Sequence, residues 1–272
     1  MKSLWSHDDA AAMIAHYGAQ GVNEDIALRV YTSRLLGGDA RLVLHGGGNT
    51  SVKTTLADFL GDEGEVLCVK GSGWDLGDIE PAGLPAVRLA PLRRLRDRDS
   101  LSDEDMVNFQ RANLLDMTSP NPSVETLLHG FLPHKFIDHT HSTAILSLTD
   151  QPDGEAVCAE VFGARMGSVP YIMPGFALAQ KAAEVFAQDE AVEGLILHKH
   201  GIFTFGATAQ ESYERMIEMV SLAEVRLQQG RKTRFAAARL PRDIAPLCEV
   251  APILRGACAM PVGDDYKRMV LD

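Results

Sequence analysis

The sequence predicts an α/β protein, and three observations carry that prediction. Stretches with helical apolar periodicity alternate with short runs rich in Val, Ile and Leu, without long repeats. Two of the short runs, RLVL before HGGGNTSVKTT and EVLCVK before GSGWDL, lead into segments of glycine and hydroxyl residues, the usual make-up of ligand loops at strand ends in such folds. A chain of 272 residues with 46% hydrophobic content can also bury a sizeable core, as one large domain or as one domain with an appended piece.

Taken in order, Ser6 with Asp9 three residues on marks the start of a first helix. Asn23 marks a second, IALRVYTSRLL, with apolar residues at 26, 30, 31 and 35 and a stop at Gly37-Gly38. RLVL at 41–44 reads as a short strand. It enters HGGGNTSVKTT, where three glycines permit a tight turn that Cβ-bearing residues resist. Hydroxyls and backbone N–H groups beside those glycines could enclose a phosphate or carbonyl oxygen, and a plain hairpin turn is the other reading. Neither Walker nor GxGxxG spacing is present, so no nucleotide or hydride chemistry is assigned. EVLCVKGSGWDLGDI repeats the pattern, with Lys70, Gly71, Ser72 and Gly73 at the end of a strand. AVRLA reads as extended, Ser102 with Asp105 opens a helix DMVNFQRANLLDM, and Pro120 and Pro122 break the chain.

Next comes a short helix, SVETLLHGFL, ending by Pro133, and then an extended segment through Phe136 and Ile137. STAILSLTD reads as a short helix and SVPYIM at 168–173 as a strand ended by Pro174-Gly175. FALAQKAAEVFAQ reads as an amphipathic helix, VEGLILHKHG as a buried strand, and 208–229 as the longest helix. From Phe235 the chain is rich in Ala and Pro and closes on YKRMVLD, which has the look of an extended segment beginning. The expected division is therefore a main domain at 1–234 and a C-terminal extension at 235–272, the latter possible as the start of a further region.

A net charge of −11 argues against a nucleic-acid or anionic-membrane surface. The one basic run, Arg88 to Arg98, is interspersed with Leu92, Leu95 and Asp97 and suits a solvated or subunit-contact face. Four cysteines form no CxxC pair, no apolar run reaches 18 residues, and MKSLWSHDD has no cationic leader before an apolar core. These features point to a cytoplasmic protein, which makes the Asn49-Thr50-Ser51 sequon irrelevant to glycosylation.

The stretch from Asn121 to Ser142 holds four of the nine histidines, and His198 and His200 follow later. His139 and His141 are two apart in an extended segment, so both rings leave one face. His200 could add a third nitrogen, giving a three-ligand metal site with an open position. Glu125 and His129 are i,i+4 on the short helix, which can aim a carboxylate at that site; a solvated carboxylate is the plainer reading.

The order of Gly48-Asn49-Thr50-Ser51, Gly71-Ser72-Gly73, Pro122-Ser123-Val124-Glu125, His139-Thr140-His141 and His200-Gly201 resembles the class II aldolase/adducin superfamily over about residues 20 to 225. It is similar in particular to the aldolase portion of bifunctional rhamnulose-phosphate aldolase/short-chain dehydrogenase proteins. The resemblance implies a three-layer α/β/α sandwich with a central, mainly antiparallel sheet, assembled as a homo-tetramer. It implies zinc ligands His139, His141 and His200, a catalytic Glu125, and a phosphate-receiving set of Asn49 with Thr50, Ser72 with Gly73, and Ser123. His198 stands outside the implied ligand set. The implied activity is zinc-dependent cleavage of a ketose 1-phosphate, a small phosphorylated sugar of the rhamnulose- or fuculose-phosphate kind, to dihydroxyacetone phosphate and an aldehyde. A dehydratase, an epimerase or a non-catalytic metal-bearing assembly domain is the alternative. Two departures stand out: Val124 replaces a family hydroxyl, and Pro174 occupies the place of a tyrosine acid, with Tyr171 three residues away.

Overall fold

In the computed structural model, which describes residues 1–229, 245–257, 259–262 and 265–267, the chain opens with helices α1 (His7–Gly18) and α2 (Glu24–Gly37). Ser6 Oγ accepts from Asp9 N and Asn23 Oδ1 from Asp25 N, so both expected caps form. RLVL is not a strand. Leu42 N and Val43 N both donate to Asp39 O, and the two side chains are buried from a turn rather than from a sheet position.

The hairpin β1 (Asn49–Ala57) and β2 (Glu63–Val69) follows, then β3 (Ala86–Arg88), α3 (Leu89–Arg94) and α4 (Asp103–Ala112). Helix α4 stops five residues short of the expected end because Leu114 bridges to Val87 and Leu115 N donates to Ala86 O. The site-bearing half runs α5 (Thr126–Phe131), β4 (Phe136–Thr140) and α6 (Thr143–Thr149). It continues through α7 (Gly154–Phe162), β5 (Met166–Val169), α8 (Phe176–Gln188), β6 (Gly194–Leu197), β7 (Gly201–Gly206) and α9 (Ala209–Gln228). Helix α7 was not anticipated. Strand β5 ends before Pro170, which has no N–H to donate, so it lies earlier than the expected 168–173.

The sheet order is β3-β2-β1-β4-β7-β6-β5, with every neighbouring pair antiparallel except β5 and β6. Side-chain alternation divides the core between the two faces. Leu67, Ile137, Phe203 and Phe205 pack against Leu89 and Leu92 of α3, Leu128 of α5 and Ala182 and Phe186 of α8. On the other face Val52, Val66 and Phe136 meet Ile26 and Val30 of α2, while Ile202 and Ile196 meet Met216 and Val220 of α9. The result is a three-layer α/β/α fold. Behind the central strand β4, Arg29 and Asp138 form a fully buried pair at 2.5 Å, and Ser212 Oγ donates to Asp138 at 2.6 Å, joining α2, β4 and α9. Removing either charge would leave the other buried alone, at a cost of about 3–5 kcal/mol.

Contacts divide the chain into compact units Met1–Gly230 and Arg231–Asp272. The second contains α10 (Leu247–Ala257) and an antiparallel pair, β8 (Met260–Val262) with β9 (Asp265–Lys267). The expected boundary at 234/235 and the last residues of YKRMVLD lie outside the described residues.

Candidate functional site

Strand β4 lies between β1 and β7, with His139 opposite Asn49 on one side and Phe203 on the other. Ile137, His139 and His141 therefore share one face, the face covered by α5 and α8. His200 reaches the same place from the turn between β6 and β7. That turn spans only 198–200, with His200 N donating to Leu197 O, and it closes because Lys199 takes a left-handed conformation, φ 58°. Gly201 follows by necessity: a Cβ there would sit 2.4 Å from Thr140 O and 3.1 Å from the His139 ring. Nitrogens of His139, His141 and His200 all lie within 4.8 Å of one another.

Glu125 enters from the N-terminus of α5, where it is the residue preceding the first helical turn. Its Oε2 is 3.3 Å from His139 Nε2 and its Oε1 is 3.4 Å from His200 Nε2. These contacts are ion pairs only if the rings are protonated, and burial holds all three below the ordinary histidine value. His139 is held well below it, with His141 and His200 adding to the effect of burial. His200 is lowered to about 4, by burial and then by His141, and His141 by burial and then by Lys70. Glu125 moves the other way, pushed up to about 7 by burial against the opposing hydrogen bond from Asn49.

Whether this donor set fits a cation can be judged from its lone pairs. His139 Nδ1 lies 3.0 Å from Ile202 O, which can only accept, so its proton sits there and Nε2 presents a lone pair to the cleft. His141 Nε2 is 3.0 Å from that atom, and one shared proton can satisfy both. Among the described residues Glu125 Oε1 is buried and has no hydrogen-bond partner, and it lies 3.4 Å from His200 Nε2. Electron-rich atoms thus converge on one point with too few protons among them, which a divalent cation would remedy. Three imidazoles fit such an ion well.

The centre opens into a cleft of about 530 Å³ lined by Gly46 to Asn49, Lys70 to Asp75, Ser123 to Glu125, His141, Pro174 and His200. The loop 70–73 is fixed to the segment before α5 by Ser72 N donating to Asn121 O at 2.8 Å and Ser123 N to Lys70 O at 3.1 Å. Gly73, at φ 85°, uses the conformational freedom of glycine, and the exposed Ser72 is directed into the same cleft. Among the described lining residues Lys70 is the one cation. It is 7% exposed, with Nζ donating to Gly46 O at 3.0 Å. Sequence reasoning placed Lys70 in a ligand loop without giving it a role; a lysine at the buried end of a glycine loop was the available signal.

Two expected phosphate contacts are not arranged as such. Asn49 and Thr50 begin β1 rather than a loop, so their side chains leave opposite faces. Thr50 is buried against Ser33 Oγ at 2.7 Å and does not line the cleft. Asn49 lines it, but its amide nitrogen donates to Glu125 Oε2 at 2.7 Å and Ser123 Oγ at 3.1 Å. His198 faces a separate cavity, bonded to Ser168 Oγ at 2.9 Å, and Tyr171 lines that cavity too, its hydroxyl against Met173 Sδ. Tyr171 therefore does not line the cleft of its own chain at Pro174.

The sequence profile of the Class II Aldolase and Adducin N-terminal domain matches residues 27–227. "Uncharacterized oxidoreductase YuxG" of Bacillus subtilis (strain 168) is 36% identical over 278 residues, covering 100% of this chain but only 38% of that relative. The N-terminal class II aldolase domain of a conserved protein from Thermoplasma acidophilum superposes with TM-score 0.75 at 39% identity, covering 84% of this chain and 100% of that one. A sugar-phosphate aldolase from Thermotoga maritima shares the fold, with TM-score 0.57 at 17% identity over 77% of this chain and 97% of its own.

Proposed function

This chain belongs to the Class II Aldolase and Adducin N-terminal domain family, and from that premise we propose that it is a zinc-dependent lyase that cleaves a ketose 1-phosphate of the rhamnulose- or fuculose-phosphate kind to dihydroxyacetone phosphate and an aldehyde. The observation that carries the proposal is the convergence of three neutral imidazoles and an unpartnered Glu125 oxygen at one end of a cleft whose lining includes a buried lysine. His139, His141 and His200 would hold the ion and leave a coordination position open. When bound, it supplies Lewis-acid polarisation of a carbonyl and stabilises developing negative charge.

The protein's own groups do the rest. Glu125 Oε1, free of hydrogen bonds, takes the proton of the hydroxyl on the carbon that becomes the aldehyde. The carbon–carbon electron pair stays with the three-carbon fragment, and Glu125 returns the proton to that fragment's carbon of the broken bond, so protons balance. Lys70 and Ser72, with backbone N–H groups of the glycine loops, receive the phosphate. Asn49 and Thr50 are left out of that set because their polar atoms are engaged elsewhere. With Pro174 in the cleft and this chain's own Tyr171 outside it, a hydrogen-bond donor toward the aldehyde oxygen would come from another copy of this chain in a homo-tetramer.

The test is a panel of ketose 1-phosphates incubated with zinc-loaded protein, with coupled detection of dihydroxyacetone phosphate. Release that a chelator abolishes and zinc restores is the expected result. No release from any sugar, or release unaffected by chelation, would overturn the proposal.

A further inference from the structure

We infer that His129 is a positioning residue: held in its Nε2–H tautomer by Ser51, it fixes the amide of Asn49 so that Asn49 donates to Glu125. The inference rests on the reading of Glu125 as the proton-transfer residue. Its observations are nonetheless independent of any metal.

Below the cleft, four side chains form one continuous chain of hydrogen bonds. Ser51 Oγ is 2.7 Å from His129 Nδ1, His129 Nε2 meets Asn49 Oδ1, and Asn49 Nδ2 lies 2.7 Å from Glu125 Oε2. Ser51, His129, Asn49 and Glu125 are all buried. The direction of each bond follows from the carboxylate end. Asn49 Nδ2, which can only donate, faces Glu125 Oε2 at 2.7 Å and Ser123 Oγ at 3.1 Å, so both protons of that NH₂ are placed. Asn49 Oδ1 then faces His129 and can only accept, which puts the imidazole proton on Nε2. His129 Nδ1 is left as an acceptor, and the Ser51 hydroxyl fills it. Every atom of the chain is used once in the role it can take.

The ring has little freedom to do otherwise. Burial, with the charges of Lys53 and Arg29 adding to it, keeps His129 neutral, so it cannot donate from both nitrogens. Its backbone is anchored by Lys53 Nζ on His129 O at 2.8 Å, and its ring packs on Phe203. Reversal of the Asn49 amide would put oxygen against the carboxylate and NH₂ against a protonated nitrogen. A buried histidine one helical turn after Glu125 thereby decides the orientation of a group two bonds away.

The experiment uses two readouts. In ¹⁵N-histidine-labelled wild-type protein, the ring signals of His129 are identified as those missing from His129→Gln. They should show a neutral Nε2–H imidazole that does not titrate between about pH 5 and 8. An Nδ1–H form would require the Asn49 amide turned round, and that form, or a ring that protonates in this range, overturns the inference. This readout stands whether or not the protein cleaves a sugar phosphate. With substrate, His129→Gln, which can keep a donor toward Asn49, should retain kcat within several-fold. His129→Leu should lower kcat by about 10- to 100-fold with KM and bound metal unchanged, the signature of lost positioning at the reacting centre. A His129→Leu variant with wild-type kcat, or one that loses metal and KM together, would make the residue merely structural.

Discussion

Glu125 is the residue at which holding a metal and moving a proton can be separated. Burial raises its carboxyl to about 7, whereas a divalent cation a few ångströms away would draw it back toward the ionised form. Its Asn49 bond and its position at the head of α5 survive a change to Gln, which keeps size but removes the basic oxygen. Glu125→Gln should therefore bind zinc with full stoichiometry and lose about 10²- to 10⁴-fold in turnover, checked by elemental analysis beside steady-state kinetics. Loss of metal with activity would make Glu125 chiefly a ligand, and unchanged turnover would remove it from the mechanism. At this scale the clustering of the three histidines beside Glu125 was legible, because a two-residue spacing in a strand and a carboxylate on the preceding helix leave few geometries. Asn49 and Thr50 were not, because a run of glycines before Asn-Thr-Ser reads as a loop, and only strand register shows that the two neighbours point apart.

Among the elements, the joint between β1 and the α5–β4 segment depends on Lys53. Its buried ammonium donates to His129 O at 2.8 Å and His134 O at 2.7 Å, and among the described residues no carboxylate pairs with it. Burial lowers it to about 7, with Arg93 adding to the effect. An unfolded lysine titrates near 10.4. Between about pH 7 and 10.4 the unfolded chain thus binds more protons than the folded one, and this group makes stability rise with pH across that window. The full contribution is present above the unfolded value and is lost as pH falls through the folded one. Denaturant titrations of wild type and Lys53→Met should show the difference shifting in favour of the wild type from pH 7 to 10; a pH-independent difference would refute the assignment. Element positions were readable wherever caps and periodicity agreed, as at Ser6, Asn23 and Ser102. They failed where tertiary pairing intervened: RLVL is buried in a turn, and α4 yields to the bridge between Leu114 and Val87.

At the scale of the whole molecule, the family and the three-layer fold were legible because five short motifs fall in a fixed order along the chain, and the sheet then brings most of them to one end of β4. The cleft has Val124 on its lining, while Met173 and Tyr171 lie exposed on the segment leading to Pro174, which lines it. A second copy of this chain covering this region would bring one of its side chains to the aldehyde oxygen. Light scattering at micromolar concentration should give a tetramer mass, and a monomer would count against any scheme that borrows a residue from another copy. The chain spans only 38% of the length of YuxG, so activities of the longer protein are a separate matter. The central claim is the three-imidazole centre, and it is tested most directly by titrating zinc into metal-depleted wild-type protein and His141→Ala, with circular dichroism to verify the fold. The account predicts one tight site per chain in the wild type and none in a folded His141→Ala. A wild type without a tight site, or a variant that keeps full stoichiometry, would contradict it.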